Sequence, residues 1–466
     1  MNYDFIVCGS GPAGSALAGR LAERPGVSVL LLEAGHTDER PTVDDPSRWV
    51  ENLGGPAVWD FSTEPSPAVH DRRLFYPMGR VLGGGGSVNG STWVRGHRDD
   101  WDFYARETGD PAWSHKSALE IFDRIEKGPL RITTASKAHP VTEAVLAAAD
   151  QVGLPRYFHP NGRLMESERG AAPRQEIIHD GRRLSPYRAY VGPRPHANLT
   201  VLSGALVLGV LFETIGPRNR AIGVRVRHHG RLRQIYASTE VVLSLGAVQT
   251  PKILMLSGVG DAAELAACSI EVRRHLPGVG RNLDDHARFP LPGLRVLGDT
   301  RAGCFWNLSS DEPPTFMEVR GGTFHIGMRM RDTGRIRLAS ADPEAHPLIE
   351  TGFLTNPADL DSAFRALDTA RAIGQGRALR PYVTAAETEQ HDVRDTVGTF
   401  WHPCGTARMG LDNSAVVDSR LRVLGCEGLR VADASVLPRA PVAGTMAPSV
   451  LVGEQAAAFI TAEHAL

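Results

Sequence analysis

Cysteine is scarce. The five present (Cys8, Cys268, Cys304, Cys404 and Cys426) are odd in number, far apart in 466 residues, and form no C-x-x-C pair. That spacing excludes a disulfide framework and a thiolate metal site, so no metal is expected, and a reducing cytoplasm fits. An excess of charge of either sign is also missing: 51 Lys and Arg face 53 Asp and Glu, a net charge of −2. Such a chain offers no field for a polyanion, so no nucleic-acid partner is expected. Nor does any apolar run reach the roughly 18 residues of a membrane span. Residues 1–8 carry Asp4 and lack a basic start and a cleavage site, so no signal peptide is expected.

Glycine, by contrast, is plentiful at 49, with 32 prolines beside it, which points to many turns. The length suffices for two or three domains' worth of core. The first glycines are placed tellingly. Tyr3 to Val7 reads as a buried strand, Ala13 to Ala22 as a helix, and Val27 to Leu32 as a second buried strand ending on Glu33. Gly9-Ser10-Gly11-Pro12-Ala13-Gly14 therefore sits where a strand turns into a helix inside a βαβ unit. There Gly9 allows the tight turn, Gly11 the approach of a pyrophosphate, and Gly14 close packing of helix on strand. The helix N-terminus offers free N–H groups to the phosphates. Glu33, 19 residues after Gly14, stands where an acid would hold ribose hydroxyls. The pattern reads as a dinucleotide site, FAD or NAD.

The stretch after His36, to about residue 69, is polar and Pro-bearing and reads as an irregular lid or flap. Gly83-Gly84-Gly85-Gly86 follows, four glycines whose ordering costs entropy unless the backbone must press against a ligand. Trp113 to Lys127 and Val141 to Val152 read as helices. Strands are expected at Leu199–Leu202, Ala205–Phe212, Ala221–Val226 and Glu240–Ser244, the last leading through Gly246 into a helix. Thr323–Met328 and Gly334–Leu338 read as antiparallel strands, Pro357 to Ile373 as a helix, Gly428–Ser435 as a short strand running into a carboxylate, and Ala447 to Ala458 as a closing helix.

Six pieces in this order resemble the glucose–methanol–choline (GMC) flavin oxidoreductases. They are the N-terminal βαβ unit, Gly79–Gly96, Ser244–Gly260, Gly278–His286, His402–Gly410 and Val431–Pro438. The resemblance implies an α/β (α+β overall) fold: a Rossmann-like FAD-binding domain plus a substrate-binding domain built on an antiparallel sheet with helices. The expected division is 1–48, 70–105, 181–290 and 415–466 for FAD, 49–69 for the lid, and 106–180 with 291–414 for substrate. FAD is expected at Gly9, Gly11, Pro12, Ala13, Gly14, Glu33, Ala34, Arg80, Val81, Gly83, Gly84, Ser87, Asn89, Gly90, Val207, Gly246, Asp433, Ala434, Thr445 and Met446. Some members attach FAD to a His just before the Asn of the first signature. Here that position is Val88, which has no nucleophile, so the FAD is expected to be non-covalent.

The resemblance also implies oxidation of a small-molecule alcohol, with O2 or another acceptor taking the electrons. His402, in an H-P-x-G-T context, matches the family's catalytic His, and a neutral imidazole suits proton abstraction. Trp401 and Gly444 are expected in the substrate pocket. The family usually places a second His or Asn where this chain has Gly444, and a glycine donates nothing from a side chain. That departure keeps two other readings open, a hydroxynitrile-lyase-like enzyme with redox-silent FAD and a flavin photodecarboxylase. His97, His286 and His325 read as structural or surface histidines, and Cys404 as a small buried filler. Segment 291–400 is short for the family and carries no motif legible as chemistry, so a trimmed substrate domain with an open cleft is expected.

Overall fold

Phe5-Ile6-Val7-Cys8 is apolar without alternation, as a strand covered on both faces requires. In the computed structural model, which describes residues 2–134, 140–192, 196–215, 218–298, 300–385 and 392–466, the strand Asn2–Cys8 is central to a mixed sheet. Val29–Leu32 and then Leu199–Leu202 pair in parallel on one side of it. On the other side runs the end of the long strand Arg231–Leu243, and Leu429–Val431 adds in parallel beyond that. The first part of Arg231–Leu243 turns outward into an antiparallel meander with Arg218–His228 and Ala205–Ile215. The expected strand began at Glu240. Its real start at Arg231 was hidden because residues 231–234 are exposed and, apart from Leu232, polar.

The parallel strands end together at Cys8, Leu32, Leu202, Leu243 and Val431. In open α/β sheets, ligands bind in the crevice beyond such carboxyl ends. The helix Pro12–Ala22 leaves this edge and packs closely: a Cβ on Gly14 would stand 1.9 Å from the Gly9 carbonyl oxygen. The closing helix Met446–His464 crosses it equally closely, and a Cβ on Gly453 would stand 2.2 Å from the Ala13 carbonyl oxygen. This helix is longer at both ends than its apolar stretch predicts.

A second sheet of six antiparallel strands runs in the order Gly398–Thr399, His286–Pro290, Thr323–Arg329, Thr315–Arg320, Ala302–Trp306 and Gly170–Pro173. One face, with Phe289, Met317, Val319, Ile326 and Met328, packs under the helices Pro140–Gln151 and Pro357–Gly374 in a core of its own. Thr323–Met328 was expected as a strand and is one. Gly334–Leu338 contains the strand Arg335–Arg337, but this pairs with Leu348–Glu350 in a separate hairpin. The stretch read as an irregular lid is more ordered than its composition suggests. It holds the short helix Pro41–Asp44, the 3-10 helix Pro46–Asn52 and the strand Val58–Ser62 paired with Phe75–Gly79. Among the described residues, no helix is long and apolar enough to cross a membrane.

One buried ion cluster ties the last strand to the sheet and to the closing helix. Arg430 is 1% exposed, and it donates from Nε and Nη2 to the Glu240 carboxylate at 2.6 and 3.0 Å. It also pairs with Glu463, and His464 reaches Glu240 at 2.7 Å. Removing one member of such a cluster strands the other charge. Arg430→Ala is therefore expected to cost about 3–5 kcal/mol, read as a lowered thermal midpoint, whereas a loss under about 1 kcal/mol would contradict this account.

Candidate active site

A continuous cavity starts at the carboxyl ends of the parallel strands and runs to the second sheet. Gly9, Gly11, Pro12, Ala13, Glu33, Ala34, Gly84, Asn89, Gly90, Val207, Gly246, Asp433, Ala434, Thr445 and Met446 line it, together with Trp401, His402 and Gly444. Three helices open onto it at Pro12, Gly246 and Met446, and none has a side-chain N-cap. Apart from the Gly246 N–H, which Asp433 accepts, the N–H groups of their first turns are thus left for a ligand, with positive partial charge behind them. Gly11, Gly85 and Gly246 have nothing within 4 Å of where a Cβ would stand, so the wall here is bare backbone facing open space.

Two buried carboxylates shape this end. Glu33 accepts from Ser10 N and Oγ at 3.1 and 2.7 Å and from Gly35 N at 2.8 Å. Burial raises its pKa while these bonds oppose the rise. Asp433 accepts from Gly246 N at 2.9 Å and Thr250 Oγ1 at 2.6 Å, which sets the turn into the helix Gly246–Leu256. Ser10, which the sequence reading passed over, joins the two glycine loops: its hydroxyl also accepts from Gly83 N at 3.0 Å.

Five expected residues stand behind the wall rather than on it, for separate reasons. Gly14 serves helix packing. Arg80 lays its guanidinium over the Trp59 ring at 4.2 Å. Val81 is buried in a small cluster with Ala57, Val58 and Val88. Gly83 takes a left-handed turn with φ +90°, and Ser87 donates to the Leu82 carbonyl at 2.7 Å. Conversely, Trp49, Trp59, Phe400, Glu318 and Arg320 line the cavity without having been expected there. Glu318 and Arg320 left a faint signal as two charges at period two in an otherwise apolar strand.

The far end is built on Asp285. Its Oδ1 accepts from the backbone N–H of His286 and His402 at 2.7 and 2.8 Å, and its Oδ2 from Tyr76 and Thr399 hydroxyls, each at 2.6 Å. Burial raises Asp285 to about 6 against those bonds. His402 is stacked on Phe400, with ring centroids 5.7 Å apart and an interplanar angle of 19°. Its Nδ1 lies 3.2 Å from Nδ1 of His286. Its Nε2 faces Gly444, where a Cβ would stand 3.5 Å away. Burial pushes the His402 imidazole down to about 4; Glu318 raises it and Arg320 lowers it. Burial, then His402, hold His286 well below its usual value.

His286 was expected to be structural, yet it touches the imidazole singled out for chemistry. The only trace in the sequence was its place closing the Gly278–His286 segment. His97 does cap a helix, accepting at Nδ1 from Asp99 N at 3.1 Å. Cys404 is buried and its thiol is pushed far up by burial, which suits packing. Among the described residues no group of three or more His, Cys, Asp and Glu could hold a metal ion.

Glycine-walled backbone and three uncapped helix ends fit a dinucleotide's phosphates, and the cavity beyond leads to an imidazole. Comparison with known proteins agrees. The sequence profile of the GMC oxidoreductases matches residues 3–288 and 330–453. An oxygen-dependent choline dehydrogenase of Brucella anthropi is 31% identical over 536 aligned residues, covering 99% of this chain and 96% of the relative. That aligned length exceeds the 466 residues here, so the relative carries segments this chain lacks. An uncharacterised GMC-type oxidoreductase of Mycobacterium tuberculosis is 34% identical, covering 98% and 99%. The solved pyridoxine 4-oxidase from Mesorbium loti superposes with a TM-score of 0.88 at 27% identity, covering 98% and 99%. The chain belongs to the GMC oxidoreductase family. It is a flavoprotein enzyme, and its cofactor is FAD.

Val88 lines the cavity just before Asn89 and offers no nucleophilic atom. Acid or heat denaturation of the yellow protein is expected to release all FAD into the supernatant. Flavin left in the washed pellet would show a covalent link.

Proposed function

We propose that this enzyme oxidises the CH–OH group of a small-molecule alcohol to an aldehyde or ketone, with His402 as the base. The observation that carries this reading is the orientation of His402. Its Nδ1 is engaged with His286 and its Nε2 faces the cavity. Both imidazoles are neutral, so only one can donate across the 3.2 Å contact. With the proton on His402 Nδ1, His286 accepts, and the lone pair on His402 Nε2 is left for the substrate. FAD bound along the glycine wall would supply the hydride acceptor at N5 and hand its electrons to O2 or another acceptor. The residues proposed to hold it are those of the glycine wall, Glu33, Asp433 and the three helix N-termini.

In this reading the hydroxyl proton goes to His402 Nε2. The hydride leaves the same carbinol carbon, and the C–O bond becomes C=O. Asp285 fixes the backbone of both histidines, Phe400 holds the His402 ring plane, and Gly444 leaves room for a bulky or secondary carbinol. The relatives named choline dehydrogenase and pyridoxine 4-oxidase support oxidation of an alcohol in general.

Anaerobic bleaching of the flavin by an alcohol panel tests the reading, and failure of every alcohol would favour the lyase or photodecarboxylase alternative. His402→Ala is expected to slow flavin reduction by about two to four orders of magnitude, and near-normal reduction would remove His402 as base. The pH dependence follows from the lowered imidazole. Because His402 loses its lone pair only as pH falls through about 4, reduction is expected to be level across neutral pH, declining only below about pH 5. An acid limb centred near the ordinary imidazole value of about 6.5 would contradict this.

A further inference from the structure

Two charged side chains on the cavity wall take no part in proton abstraction at His402. Glu318 and Arg320 lie two residues apart on the strand Thr315–Arg320 and both line the cavity. Strand alternation turns them to the same side as Phe316, away from the core that holds Met317 and Val319. Both share the cavity wall with His402 and act on its imidazole electrostatically.

Arg320 is only partly satisfied. Its Nε and Nη2 approach Glu318 Oε2 at 2.7 and 2.5 Å. Its Nη1 makes no hydrogen bond among the described residues, and it sits 3.0 Å from where a Cβ on Gly90 would stand, on the glycine wall of the cavity. Behind it, Arg174 lies 3.7 Å from Glu318 and pairs more closely with Glu176, at 3.3 Å. Arg288, on the same sheet face, meets no carboxylate within 4.0 Å among the described residues, and its buried Nε has no partner among them. The nearness of Arg320 further disfavours the charged form of Arg288. Cations gathered in a partly dry site are costly unless an anion joins them.

We propose that the substrate is an alcohol that also carries a carboxylate: Arg320, with Arg288 behind it, receives the carboxylate while the hydroxyl meets His402. This rests on the alcohol-oxidation reading above. It also supplies a second anchor where Gly444 provides none, since a charge-assisted bond to Arg320 would orient the carbinol from its far end.

The test uses the FAD-loaded enzyme and a matched pair of probes, benzoate and benzamide, followed through the flavin absorbance change. Benzoate is expected to bind at least about tenfold tighter, with the advantage shrinking as salt rises and disappearing in Arg320→Gln. Equal binding of the two probes, no response to benzoate, or an advantage unchanged in Arg320→Gln would overturn the proposal. Should Arg320→Gln fail to retain FAD, the wild-type comparison and Arg288→Gln, expected to weaken benzoate selectively, still decide it. A panel of hydroxy acids and their methyl esters separates the two readings. Reduction by esters as fast as by acids overturns the carboxylate site and leaves alcohol oxidation standing. A benzoate preference with no reduction by either series sustains the carboxylate site and overturns alcohol oxidation.

Discussion

Asp285 is the constraint on which the reactive end of this enzyme depends. One buried carboxylate takes four hydrogen bonds from three stretches of chain: the segment around Tyr76, the strand start at His286, and the turn from Thr399 to His402. It thereby fixes two neighbouring imidazoles by their backbones rather than their rings. The rings are then free to settle their shared proton between themselves, and the low polarity around them keeps both neutral. A carboxylate bonded to the ring of His402 would stabilise its cationic form; here the carboxylate grips the frame and leaves basicity to the neighbour.

The other end of the cavity works by omission. Side chains are missing where the wall faces open space, and caps are missing where the helices begin. Both absences leave backbone N–H groups available, and backbone donors hold an anion without the flexibility of a long cationic side chain. Two carboxylates, Glu33 and Asp433, stand at this end, and the guanidinium on the cavity wall, Arg320, sits instead on the second sheet beside Glu318. The two ends of the cavity thus differ in character: backbone dipoles with buried carboxylates on one side, and a guanidinium paired with a carboxylate on the other.

Much of the first region was legible from the chain. Gly9 to Gly14 and Glu33 obey spacing rules set by local geometry, and uninterrupted apolar runs mark strands covered on both faces. The second region was far less legible. Glu318 and Arg320 acquire meaning only when the six-stranded sheet aligns them with His402, some 80 residues further on. His286 looked structural because nothing local reveals a contact made across 116 residues. The lid was read as irregular because its short helices and its strand expose polar faces, so no period stands out. Arg80, Val81 and Ser87 flank the glycine loop but turn to Trp59, to Ala57 and Val58, and to the Leu82 carbonyl, a distinction that depends on which way each side chain points.

The order of the strands has a consequence for how the protein is made. The cradle's five parallel strands come from residues 2–8, 29–32, 199–202, 231–243 and 429–431. During synthesis the edge of Val241–Leu243 must wait for Leu429–Val431, and the first helix must wait for the closing one. For nearly two hundred residues of elongation, the growing chain carries an open apolar strand edge and half a nucleotide site. The cavity is lined from both halves of the chain, so it is complete only once the segment from Leu429 to Met446 has joined the sheet.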